Sequence, residues 1–161
     1  MKTKTAVIYA TMYGTTEKAA KYIAENLSTE VDLIPLDKKN INLANYDTVI
    51  LGTSIHMGVV LGQMKRFYKH NLEELKTKTL GLFICGMEPN LDRQNHELNT
   101  AYPPELQQKA KAIAFAGGEF LFDKMNFFQK TIIKAVTKND KNVSQIHYDV
   151  LDHFISQMNK P

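Results

Sequence analysis

Thr5-Ala6-Val7-Ile8-Tyr9-Ala10-Thr11-Met12-Tyr13-Gly14-Thr15-Thr16 decides the fold of this chain. The apolar run at 5–10 predicts a buried strand. Residues 15–27 predict a helix, with Ala19, Ala20, Ile23, Ala24 and Leu27 at helical spacing. Between them stands a hydroxyl-rich loop, Thr11-Met12-Tyr13-Gly14-Thr15-Thr16. The first N–H groups of a helix lack intrahelical partners, and the helix dipole adds partial positive charge there. Such a loop is an anion site. It contains neither Gly-x-x-x-x-Gly-Lys-Thr nor Gly-x-Gly-x-x-Gly, so the triphosphate and dinucleotide fingerprints are excluded. Threonine hydroxyls and amides without a lysine suit one terminal phosphate, such as that of a mononucleotide.

Outward from this stretch, strands and helices alternate. Strands are predicted at 31–36, 48–53, 79–85 and 112–117. Pro35 places the first of these at a sheet edge, and Thr-Val-Ile-Leu-Gly-Thr at 48–53 reads as buried on both faces. Helices are predicted over 62–72, from Pro103-Pro104 to about 111, over 126–136 and over 143–158. Residues 138–142 read as a solvated turn. Strands joined by helices imply right-handed crossovers and a parallel sheet. The expectation is an α/β three-layer sandwich over a single domain, 1–161, with a five-stranded parallel sheet in the order 2-1-3-4-5. In that order a ligand lies at the carboxyl ends of the strands, beside loops 11–16, 54–58 and 86–92. Phosphoacceptor receiver domains share the architecture but need carboxylates after the first and third of these central strands. Tyr9-Ala10-Thr11 and Thr53-Ser54 supply none.

Composition fits a globular protein: 43% hydrophobic, 23% charged, with a net charge of +3 over 161 residues. The lysines are scattered without aromatic interleaving, which argues against a nucleic-acid surface. No apolar run reaches the length of about 18 residues that a membrane span needs. Met1-Lys2-Thr3-Lys4 leads directly into a strand, and Cys85 is the only cysteine. A cytoplasmic location is the expectation. His70, His96, His147 and His153 show no metal-binding spacing.

The loop Thr11–Thr16 resembles the phosphate loop of flavodoxins, which holds the phosphate of FMN. The resemblance implies the flavodoxin-like fold and FMN as cofactor. Thr11, Met12, Tyr13, Gly14, Thr15 and Thr16 would hold the phosphate. Ser54, Ile55, His56, Met57 and Gly58 would cover one side of the flavin ring, with the Met57–Gly58 peptide facing flavin N5. His56 would stack on the ring or place its charge nearby. Gly86, Met87, Glu88 and Asp92 would line the other side, where Met87 or Leu91 would replace the usual aromatic. Residues 54–58, together with Phe115-Ala116-Gly117-Gly118 and the stretch 127–134, resemble the flavodoxin-type menaquinone-dependent protoporphyrinogen dehydrogenases.

Three functions follow from these resemblances. The first is an electron carrier between a reductase and a redox enzyme. The alternative is an FMN-dependent oxidoreductase acting on a porphyrinogen and a quinone. A third is an interaction module without cofactor. Phe120, Phe122, Phe127, Phe128, Ile132 and Ile133 are expected to cover the sheet rather than form an apolar face for quinone, porphyrin or membrane, and within them Phe120-Leu121-Phe122 also suits an exposed interaction site.

Overall fold

Successive side chains of a strand point to opposite faces, so an unbroken apolar strand must be covered twice. The computed structural model describes residues 3–37, 40–120, 122–137 and 142–161. In chain order it contains β1 (Lys4–Ala10), α1 (Thr15–Asn26), β2 (Glu30–Pro35), β3 (Thr48–His56) and β4 (Val59–Val60). Then come α2 (Gly62–His70), α3 (Leu72–Leu75), β5 (Thr79–Cys85), α4 (Leu91–Ala101), α5 (Pro104–Lys109) and β6 (Ala110–Phe115). The chain closes with β7 (Gly117–Phe120), α6 (Phe127–Thr137), β8 (Val143–Ile146) and α7 (Tyr148–Asn159).

Five strands pair in parallel in the order β2-β1-β3-β5-β6, the flavodoxin-like order expected from the sequence. Ala6, Ile8 and Ala10 of β1 face one helical layer, where Met64 and Tyr68 of α2, Leu75 of α3 and Leu106 of α5 pack. Val7 and Tyr9 face the other, built from Ala19, Ala20 and Ile23 of α1 and Leu151, Phe154 and Ile155 of α7. Tyr102 is buried between elements, and its hydroxyl reaches the Leu51 and Phe83 carbonyls at 3.0 and 2.9 Å.

Several local expectations change. The stretch 143–158 is not one helix: Val143–Ile146 is a strand and the helix starts at Tyr148. Val143 and Ile146 are three apart, which fits a helical stripe, but pairing with β7 (Gly117↔Ile146, Phe120↔Val143) overrides that local pattern. Residues 91–101, where the sequence predicts no helix, form α4, capped by Asn90 Oδ1 accepting from the Arg93 N–H at 3.1 Å. The third main strand runs on to His56 because β4 folds back against it, Ile55 opposite Val60. The helix expected over 62–72 breaks at Asn71, whose side-chain amide donates to the Phe67 carbonyl at 2.9 Å. Leu121, the side chains of Phe120, Phe122 and Ile133, and residues 138–141 of the expected turn lie outside the described residues. Phe127 and Phe128 do not cover the sheet; they are 86% and 72% exposed at the start of α6.

Candidate functional site

The carboxyl ends of β1, β3 and β5 open onto a cavity of about 640 Å³, within the range of small-molecule sites. Each of the three loops singled out in the sequence contributes. From the first come Thr11, Met12, Tyr13 and Thr15; from the second, all of Ser54, Ile55, His56, Met57 and Gly58; from the third, Gly86, Met87 and Glu88. Gly14, Thr16 and Asp92 do not line it. Thr16 is fully buried. Asp92 lies in the first turn of α4 and is exposed. Of the two proposed aromatic replacements, Met87 faces the cavity, whereas Leu91 is 73% exposed.

The first loop is shaped by its own hydrogen bonds. Gly14 adopts φ +96, and its N–H donates to Thr11 Oγ1 at 2.9 Å, while its carbonyl accepts from the Lys18 N–H to start α1. Lys124 Nζ donates to the Tyr13 carbonyl at 3.1 Å, so a cation from outside the loop stands beside it. The sequence reading missed that cation because Lys124 is 111 residues away along the chain. The second loop is a two-residue hairpin turn. Met57 and Gly58 both take positive φ, +53 and +76, as a type I′ turn between β3 and β4 requires. The Tyr13 and His56 rings meet edge to face, 6.4 Å between centroids, and tie the first loop to the second.

Cys85, Pro89 and Gly118 also line the cavity, as do Arg93, Glu97, Glu119 and Met125, which the sequence did not single out. Arg93 and Glu97 are four apart, and recognising α4 as a helix is what puts both on its inner side. Burial raises the Glu97 carboxyl above its usual range, and the neighbouring Glu88 carboxylate adds to the effect. Burial likewise pushes the Cys85 thiol up to about 12, so it stays protonated and inert at neutral pH. Among the described residues, no group of histidine, cysteine and carboxylate side chains could hold a metal ion.

Buried polar atoms without a protein partner have hydrogen-bonding capacity left for a ligand or water. Among the described residues, Tyr13 Oη, Thr16 Oγ1, Ser54 Oγ and Glu97 Oε2 are such atoms, and all of their residues but Thr16 line this one cavity. The first loop offers hydroxyl and amide donors to an anion, with the Lys124 ammonium beside it on the Tyr13 carbonyl, and the second and third offer apolar side chains and backbone to a flat ring. This donor set fits a flavin mononucleotide.

Comparison with known proteins agrees with this geometry. A family model described as a flavodoxin domain matches residues 6–146. A protoporphyrinogen IX dehydrogenase [quinone] of Leishmania major is 25% identical over 144 residues, 84% of this chain. The chain spans 62% of the length of that relative. Among solved structures, a short-chain flavodoxin associated with a non-canonical PDU bacterial microcompartment aligns over 96% of this chain and 95% of its own, with TM-score 0.59 at 14% identity. The two-electron reduced flavodoxin of Megasphaera elsdenii aligns over 71% of this chain and 85% of its own, with TM-score 0.56 at 16% identity. At those identities the structural likeness speaks for the fold alone.

Proposed function

Because the chain belongs to the flavodoxin domain family, we propose that it is an electron carrier, shuttling electrons between a reductase and an acceptor enzyme. FMN is the cofactor of this family. When bound, FMN supplies the electron-accepting ring, and the protein supplies its seat, its exposure and its electrostatics. The Thr11 to Thr15 loop and the first turn of α1 would take the phosphate, with Lys124 adding positive charge. His56 and Met57 would lie along one side of the ring, and Met87 along the other. Glu97, whose carboxyl burial raises above its usual range, would face the ring's polar edge with Oε2.

One observation carries the carrier reading: the cavity opens between exposed apolar side chains. Met12, Met57, Val59 and Leu91 are 41%, 68%, 64% and 73% exposed at the carboxyl end of the sheet. An apolar rim around a redox group suits transient docking of partner proteins. The 1–161 stretch acting as one domain, and a cytoplasmic location consistent with the unpaired Cys85, belong to the same proposal. Among the described residues no helix is long and apolar enough to cross a membrane.

The relative from Leishmania major favours a second reading, an FMN-dependent oxidoreductase of the menaquinone-dependent protoporphyrinogen dehydrogenase type. Anaerobic stepwise reduction followed by visible absorption separates the two. A stable one-electron stage, with turnover only when a flavodoxin reductase and an acceptor are both supplied, supports the carrier. Direct two-electron reduction with rapid reoxidation by a menaquinone analogue and consumption of porphyrinogen supports the enzyme. Absence of flavin absorption after incubation with FMN removes both.

A further inference from the structure

The phosphate end of the cavity already holds an anion. After β6, the chain turns at Gly117, where φ is +75, and the Gly86 N–H donates to the Gly117 carbonyl at 2.9 Å. Gly118 lies so close to Gly86 that a Cβ there would stand 2.8 Å from the Gly86 oxygen. This contact carries β7 across the carboxyl end of the sheet and sets its next residue, Glu119, over the start of α1. The Glu119 side chain is 4% exposed. Its Oε1 accepts from Thr15 Oγ1 at 3.1 Å, and both carboxylate oxygens accept from Lys18 Nζ at 3.1 Å. Ser144, opposite in the β7–β8 pair, also bonds it. Burial alone would raise this carboxyl, but the bonds from Ser144, Lys18 and Thr15 outweigh burial and hold it below its usual range. It is therefore a carboxylate at neutral pH, and it lines the cavity together with Thr11 and Thr15.

A hydroxyl has one proton to donate, and Glu119 takes the one that Thr15 would give to a phosphate. Two anions at one helix terminus also repel across a short, partly desolvated distance. Resting on the FMN reading above, we propose that Glu119 is a specificity-determining residue for the cofactor, a resident carboxylate that competes with the FMN phosphate for Thr15 and the first turn of α1. The chain thereby discriminates FMN from riboflavin less than its phosphate loop alone would, and FMN exchanges readily. Lys18 is 52% exposed and can be hydrated, so neutralising Glu119 leaves no buried unpaired cation.

The test is the affinity of apoprotein for FMN and for riboflavin, read by flavin fluorescence, in the natural sequence and in Glu119→Gln. Riboflavin lacks the phosphate and serves as the internal reference. Glu119→Gln should tighten FMN binding by roughly tenfold while riboflavin stays within about twofold. An unchanged FMN-to-riboflavin ratio, or a ratio that falls, overturns the competition. FMN binding by the variant alone supports it in its strongest form. Failure of both proteins to bind either flavin overturns the FMN reading itself, and this inference with it. Should Glu119→Gln fail to fold, Glu119→Ala gives the same comparison, with the same ratio expected to rise and the same outcomes against it.

Discussion

Met57 sits at φ +53, a conformation that costs a non-glycine residue about 1 kcal/mol, and its side chain is largely exposed, so little packing offsets that cost. Met57→Gly should raise the stability of the apoprotein by about 1 kcal/mol, visible as a higher midpoint in thermal unfolding. An unchanged midpoint would mean that the turn stores no strain. Cys85 ends β5 against the cavity, but its thiol is pushed up to about 12 by burial. The thiolate is the nucleophile. Native protein should therefore resist iodoacetamide from neutral pH to about pH 9, and urea should expose the thiol to quantitative labelling. Rapid labelling of native protein at pH 7 would contradict the burial that raises the thiol.

Among the elements, β7 is the one that joins the loops. Its backbone touches the Gly86 loop, Glu119 reaches the start of α1, and its pairing with β8 positions α7 through the His147 N–H, which donates to the Ala116 carbonyl at 2.9 Å. A side chain at position 118 would press on Gly86 backbone atoms that no rotamer change can move aside. Gly118→Ala should cost about 1–3 kcal/mol, as overpacking does, and displace the loop that carries Met87. FMN and riboflavin affinities should fall together in this variant while the far-ultraviolet circular dichroism is kept. That parallel loss separates damage to the ring seat from the phosphate-selective effect expected at Glu119.

At the scale of the whole molecule, two partly buried carboxyls contribute to the pH dependence of stability with opposite signs. Glu97 has its folded pKa raised from 4.5 by burial and by Glu88. Below 4.5 it is protonated in both the folded and the unfolded chain and contributes no difference. As pH rises above 4.5 the unfolded chain ionises first, so this residue's contribution moves against folding. Glu119 has the opposite sign: its folded pKa is lowered from 4.5, so its stabilisation is present above 4.5 and is lost as pH falls through the folded value. Glu97→Gln should raise the urea midpoint of the apoprotein at pH 7 and leave it nearly unchanged at pH 4. Equal effects at the two pH values would show that the carboxyl is not perturbed.

The sequence alone determined the sheet and its ligand-bearing end. Residues 5–10, 48–53 and 79–85 are apolar on both faces, which only a strand between two helical layers satisfies, and the hydroxyl-rich turn 11–16 follows the first of them. What it left undecided are features set by contacts between distant residues. The α4 helix has a polar composition and gains its identity from Asn90 capping and from packing Leu98 and Ala101 on the core. The Val143–Ile146 strand has the spacing of a helix and becomes a strand only because β7 is there to pair with it. Lys124 and Glu119 reach the first loop across 111 and 104 residues, so no local pattern announces the cation beside the phosphate loop or the carboxylate within it. Periodicity within a segment is written in the chain; which side chain from elsewhere meets a loop is settled only when packing brings the two together.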